Sequence, residues 1–291
     1  MRVPDKLLFE SARLSQQRQA ERLDKAARVA SSGVKVETPS DDPSAWVDGV
    51  RLRAQATATG ERRQIATRAQ GDLELADGAL SSANDRLVRA RELAVQMANG
   101  SMDAADRAAA AKEIDAIRED LIGLANTRGD RGYLFGGTAI TDPPFSSAGV
   151  FSGNDLPFTI PLAEGTSTNV APSGAHAFTT AGGRDPFADL ATLSTALKAN
   201  DVATVTKSID QLAAAQRQII DVRSDTGMAL SRLQNAVEVG REAETRLKSM
   251  RADRVEPDAI DAIGELQQAQ SAFERGIDVT KKVLALSSLQ R

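Results

Sequence analysis

The chain contains no cysteine. Disulfides, iron–sulfur clusters and thiolate zinc sites are therefore excluded. It has one histidine, His176, so a catalytic or metal centre that needs two cannot be assembled from one copy. Aromatic residues make up only 3%. Charge of neither sign dominates: 36 Lys and Arg stand against 40 Asp and Glu, a net charge of −4. A nucleic-acid-binding domain usually carries a basic excess, so no nucleic-acid partner is expected. No stretch approaches the ~18 apolar residues needed to cross a bilayer, and no membrane insertion is expected. The first thirty residues mix Gln, Arg, Glu and Lys without the apolar segment of a secretory signal. If the protein leaves the cell, the expected route reads no cleavable signal.

What the chain has in plenty is helix-forming sequence, interrupted once. Residues 1–128 and 187–291 are rich in Ala, Leu, Gln, Arg, Glu and Asp. Residues 129–186 hold ten of the 21 glycines, six of the 10 prolines, five of the eight Phe and the one Tyr. A Gly/Pro/aromatic island between two helical arms predicts a small β-rich insert in a helical body. The expected fold class is mainly α: a long antiparallel helical rod or bundle built from both arms, with an inserted β domain.

The arms carry a seven-residue apolar period. Leu73, Ala76, Leu80, Ala83, Leu87, Ala90, Ala94 and Met97 step by three and four. So do Ile209, Leu212, Gln216, Ile219, Arg223, Thr226, Leu230, Leu233, Val237, Gly240, Glu244 and Leu247, with polar interruptions. Such spacing draws one seam along a helix. A shorter helix follows Asn99-Gly100, with Ile114, Ile117, Leu121 and Leu124 on one face and Ser101 or Asp103 as its cap. Asn200-Asp201 separates another short helix from the long one. A last helix starts near Pro257 and carries Ile263, Leu266, Gln270, Phe273, Ile277, Thr280 and Leu284. The first thirty residues predict a helix with a poor stripe, in which Leu7 and Leu14 align before Glu21 and Arg28. So thin an apolar face gains little from burial, so both ends are expected to order only against partners.

Several motifs invite a chemical reading and fail it. In Thr38-Pro39-Ser40-Asp41-Asp42-Pro43-Ser44, Asp42 can cap a helix whose first position is Pro43. No His or third carboxylate joins the two Asp, which argues against an acid/base or metal pair. Tyr133 and Phe135 in Arg131-Gly132-Tyr133-Leu134-Phe135-Gly136-Gly137 would share one side of a strand, predicting a short hairpin near 131–138. A phosphate loop would need a Lys-Ser/Thr ending that is absent. Phe158, Ile160 and Leu162 alternate along an expected strand, with Pro157 and Pro161 favouring an edge. His176 reads as a loop residue, and Trp46 as packed near a domain junction.

Taken together, Ser31-Ser32-Gly33, Val36 and Pro39-Ser40-Asp41-Asp42-Pro43 resemble the N-terminal signature of the flagellin superfamily, in the form found in its hook-associated protein 3 branch. Gly132-Tyr133-Leu134-Phe135-Gly136-Gly137-Thr138, Pro143-Pro144-Phe145 and Asp185-Pro186-Phe187-Ala188-Asp189-Leu190 are similar to the same branch. The resemblance covers about 230 residues of the two arms. The segment 141–184 matches nothing further. One departure is the ending, Leu284-Ala285-Leu286-Ser287-Ser288-Leu289-Gln290-Arg291, which is closer to a filament flagellin than to a junction protein.

The resemblance implies a terminal helical assembly domain (1–37 with 257–291), a helical rod domain (38–140 with 185–256) and a small outer domain (141–184). It implies a non-enzymatic subunit of the bacterial flagellum without cofactor or metal, joining hook to filament. The implied partners are further copies in a ring-like or helical assembly, hook-associated protein 1, flagellin, and an export chaperone at the C-terminal helix. The implied route is the flagellar type III apparatus, through a transient cytoplasmic stage to the exterior. Leu7, Leu14, Ile263, Leu266, Phe273, Ile277 and Leu284 are the expected assembly face. A filament flagellin and an intracellular helical adaptor are the alternatives; an enzyme in the middle segment would lack an acid/base set.

Overall fold

The structure is a computed structural model that describes residues 3–163 and 165–288. Seven α-helices and one hairpin are described: α1 (Val3–Ser32), α2 (Pro43–Met97), α3 (Ala104–Ala125), β1 (Thr159–Ala163), β2 (Thr166–Asn169), α4 (Gly174–Phe178), α5 (Pro186–Lys198), α6 (Val202–Val255) and α7 (Ala259–Ser288). The mainly helical class with a small antiparallel sheet follows from the two heptad arms and the island between them.

The chain divides into two compact units. One comprises Met1–Ala58 with Ala243–Arg291, and the other Thr59–Glu242. The segment 141–184 lies inside the second unit. Its Phe145 and Phe178 are fully buried in one cluster with Phe135 and Phe187. Phe178 meets Phe135 edge-on at 5.5 Å and Phe145 at 5.6 Å, a favoured aromatic geometry. These rings join a helical core from α2, α3, α5 and α6, in which Leu80, Leu87, Ile114, Leu121, Leu190, Leu193, Leu212 and Ile219 are all sealed from solvent.

The predicted seams correspond to buried faces. All eight α2 positions from Leu73 to Met97 are buried. None of the twelve α6 positions from Ile209 to Leu247 is exposed. Polar interruptions are accommodated individually: Arg223 donates from Nε to Asp77 Oδ1 at 2.8 Å.

The turns follow from side-chain caps. Asp103 accepts from Asp106 N at 2.7 Å and starts α3. Asp185 accepts from Phe187 N at 2.9 Å and Ala188 N at 3.0 Å, with Pro186 in the first turn of α5. Between α5 and α6, Asn200 takes a left-handed φ of 58°, a conformation Asn tolerates better than most residues. The buried Arg107 secures both helical turns. It donates to Met97 O and Asn99 O, each at 3.0 Å, and to Asn200 Oδ1.

The hairpin pairs Ile160 with Thr168, and its register shifts between Pro161 and Ala163. Ile160 and Val170 bury against Leu73 and Leu233. Phe158 and Leu162 flank them half-buried, as the alternation predicts.

Three local expectations are corrected. No strand forms over 131–138 among the described residues. Tyr133 makes an isolated bridge to Arg128, and the chain then bends. Gly132 and Gly137 sit at φ 128° and 67°, which breaks an extended run, so Phe135 turns into the core while Tyr133 stays half-buried. Pro257 precedes the last helix instead of occupying its first turn, because Asp258 takes the cap by accepting from Ile260 N at 2.8 Å. His176 lies on α4, with Nε2 3.3 Å from Asp155 Oδ2.

Candidate assembly interface

The paired aspartates of the signature turn perform different tasks. Asp42 caps α2: its Oδ1 accepts from Ser44 N at 3.0 Å, Ala45 N at 3.0 Å and Ser44 Oγ at 2.8 Å. Asp41 faces the preceding segment. Its Oδ2 accepts from Thr38 N at 3.1 Å, Thr38 Oγ1 at 3.0 Å and Glu37 N at 3.3 Å, and Lys25 Nζ of α1 donates to Oδ1 at 2.9 Å. The Lys25 hydrogen bond, then the Thr38 donors, hold the Asp41 carboxyl well below the usual carboxylate range. The Ala45 N–H and the Ser44 hydroxyl lower Asp42 in the same direction. Pro39, Ser40 and Pro43 are exposed around this hydrogen-bonded knot.

Beside the turn, Lys35 N and Val36 N donate to Val255 O at 2.8 and 3.3 Å. Val36, Ala45 and Val255 form a small buried cluster, with Trp46 half-buried against it. Gly49 lets α2 approach: a Cβ there would stand 2.6 Å from Val255 Cγ1. The signature turn thus ties the ends of α1, α2 and α6 together within the first unit.

Helices α1 and α7 pack on each other through small residues. Ala26, Ala262 and Ala269 are buried, and Gly276 lies against Gln19, whose Oε1 is buried without a hydrogen-bond partner among the described residues. The larger apolar side chains fare differently. Leu14 and Ile263 are exposed, and Leu266, Phe273 and Ile277 are half-buried. Ile260, which the sequence reading passed over, is 81% exposed. The side chains of Leu7 and Leu284 lie outside the described ones. A pair of amphipathic helices that buries alanines and leaves isoleucines in water has apolar surface available for a partner.

In the second unit the Gly-rich loop is anchored, not free to bind a phosphate. Asp72 of α2 is buried. Its Oδ1 accepts from Asp130 N at 2.8 Å and its Oδ2 from Arg131 Nε at 2.6 Å. Arg131 also donates to Val170 O at 3.1 Å and stacks on Phe158 at 4.6 Å. Gly136 and Gly137 are buried where the backbone approaches closely: a Cβ on Gly136 would meet Ala139 O at 2.3 Å. Gln218 of α6 holds the far side of the island. Its Nε2 donates to Ala177 O, Thr179 O and Arg184 O at 3.0–3.2 Å, and its Oε1 accepts from Arg184 N at 2.9 Å. Sequence reasoning missed both anchors. The available signal was Asp72 standing one turn before Ala76, on the apolar side of α2.

This geometry has counterparts among known proteins. Residues 7–139 match the family described as the bacterial flagellin N-terminal helical region. The alignment with flagellar hook-associated protein 3 of Salmonella typhimurium runs through 91% of this chain and 92% of that protein, at 26% identity. The segment 7–139 is thus similar to the N-terminal helical region of bacterial flagellins. Flagellin C of Vibrio cholerae is 32% identical over 50% of this chain and 35% of its own length. The crystal structure of FlgL from Xanthomonas campestris superposes with a TM-score of 0.61 at 21% identity, covering 70% of this chain and 99% of that one. The two share a fold.

Proposed function

We propose that the protein is a structural, non-catalytic subunit of the bacterial flagellum that joins the hook to the filament. The observation that carries this reading is the extent of its similarity to hook-associated protein 3, which spans 91% of this chain and 92% of that relative. Similarity to flagellin C stops at half of this chain and about a third of that flagellin, which weighs against the filament reading despite the flagellin-like last residues.

In this role the protein meets hook-associated protein 1 on one side, flagellin on the other, and copies of itself in a ring-like or helical assembly. It is exported through the flagellar type III apparatus, with a chaperone on the C-terminal helix during its cytoplasmic stage. Leu14, Ile263, Leu266, Phe273 and Ile277, with Leu7 and Leu284 beyond them, form the terminal assembly face. The exposure of Leu14 and Ile263 in the single chain supports it. An α1–α7 pair that buries alanines and leaves Leu14 and Ile263 in water is only marginally ordered alone. Coupling its ordering to assembly discourages polymerisation before export.

Immunogold electron microscopy of intact flagella, with antibody against residues 141–184, tests the reading. One narrow band of gold where hook meets filament is expected. Gold along the filament would make the chain a flagellin, and flagella without gold would favour an intracellular adaptor.

A further inference from the structure

Asn99-Gly100 lies in the turn between α2 and α3 and is the one Asn-Gly pair of the chain. The fold does not require this glycine. A Cβ on it would meet nothing within 4 Å, and its φ lies outside the left-handed region. What the glycine does supply is an unshielded amide. The Gly100 N–H makes no hydrogen bond among the described residues. Asn99 is exposed, and its Nδ2 is likewise without a partner among them.

The two oxygens of Asn99, by contrast, are both held. Oδ1 accepts from Ser101 N at 3.2 Å, which folds the side chain back over its own peptide bond to Gly100. The backbone O accepts from Met102 N at 3.2 Å and from Arg107 Nη2 at 3.0 Å. Arg107 is only 4% exposed and makes no ion pair among the described residues; its other donors go to Met97 O and Asn200 Oδ1. A buried guanidinium without a counter-ion therefore faces the carbonyl of the Asn99–Gly100 peptide.

We propose that Asn99 is a self-modification site, at which the folded turn converts the asparagine to isoaspartate with water as co-reactant. Hydroxide takes the Gly100 amide proton. The negative charge left behind spreads onto Asn99 O, where Arg107 and the Met102 N–H stabilise it. Gly100 N then bonds to Asn99 Cγ. The charge passes to Oδ1, which faces the Ser101 N–H as it would an oxyanion-hole donor. The Cγ–Nδ2 bond breaks, and Nδ2 takes a proton from solvent and leaves as ammonia. A cyclic imide remains. Water opens it at the backbone carbonyl carbon that Arg107 polarises: a C–O bond forms there and the C–N bond to Gly100 breaks, so that the chain now runs through Cγ. The freed carboxylate stands beside the buried guanidinium and supplies the counter-ion it lacked. Arg107 thus promotes ring closure and directs ring opening. This chemistry depends on the turn alone and not on the flagellar role.

The test holds the full-length protein folded at mildly alkaline pH, samples it over days and maps peptides by mass spectrometry, with fragmentation that separates aspartate from isoaspartate. Asn99 should convert about tenfold faster than any other asparagine, and about tenfold faster than in the same chain unfolded in guanidinium chloride. Isoaspartate should be the main product. Gly100→Ala should leave the melting curve unchanged and slow conversion about tenfold, because its methyl group shields the attacking nitrogen. Arg107→Lys should slow conversion even though it loosens the turn; an arginine that merely kept the turn rigid would, once replaced, let conversion accelerate. Conversion no faster in the folded chain than in the unfolded one would overturn the proposal. So would acceleration by Arg107→Lys, or indifference to Gly100→Ala. Should Arg107→Lys fail to fold, the folded-against-unfolded comparison on the native sequence decides.

Discussion

The carboxylate of Asp72 and the guanidinium of Arg131, 59 residues apart in the chain, meet at 2.6 Å on a buried face of α2. The pair fixes the island to the bundle, because the same carboxylate also accepts from Asp130 N at 2.8 Å. Removing one member of a buried pair strands the other. Asp72→Ala should destabilise the full-length protein by about 3 kcal/mol in urea denaturation. Asp72→Asn, which keeps an acceptor for Asp130 N, should cost roughly half as much. Equal stability of Asp72→Ala and the native protein would remove the anchor role.

Gln218 anchors the other side through four hydrogen bonds to backbone groups of the island. Gln218→Ala leaves three carbonyls and one N–H without their partner, a loss of about 2–4 kcal/mol. Gln218→Glu changes little in shape but points an anion at three carbonyl oxygens. It should melt at least as low as Gln218→Ala at neutral pH. A Glu variant that melts above the Ala variant would contradict the assigned amide orientation.

The signature turn predicts an acid response. Asp41 and Asp42 both lie below the ordinary aspartate value of 3.8 in the folded chain. A carboxyl with a depressed folded value contributes its stabilisation fully above 3.8 and loses it as pH falls toward the folded value. Stability should therefore decline below about pH 4. Asp41→Asn should flatten that decline, and added salt should shrink it, because the Lys25 partner is exposed. An unchanged acid profile for Asp41→Asn would exclude this group as a source.

Phe273 is half-buried on α7 among residues of the proposed terminal face. Phe273→Asp should leave the helical content and melting of the Thr59–Glu242 unit unchanged while preventing incorporation into flagella. Circular dichroism and an incorporation assay read the two effects. Loss of the folded core in the purified variant would mean that the ring serves stability instead.

Much of this architecture was legible because a seven-residue period is a local signal. The α2 stripe from Leu73 to Met97 needs no knowledge of its partner, since any long helix with that face must bury it. Asp103 and Asp42 as caps are equally local. The loop at 131–138 was misread for the opposite reason. Tyr133 and Phe135 alternate like strand residues, but Phe135 is drawn to Phe178, 43 residues later, and Gly132 and Gly137 allow the bend. Asp72 and Gln218 were passed over, because their partners lie 34–59 residues away. For the terminal face, the thin stripe on α1 was readable, whereas the 81% exposure of Ile260 required the packed helices.

Arg107 holds the α2–α3 turn and the α5–α6 turn with one side chain, across a sequence separation of 93 residues to Asn200. Each helical hairpin can form quickly from neighbouring sequence, while this bridge must wait until the two have met. The clamp therefore belongs to the last stage of folding. Weakening it would accelerate unfolding and leave the folding rate nearly untouched, so the buried arginine governs how long the bundle persists more than how fast it forms.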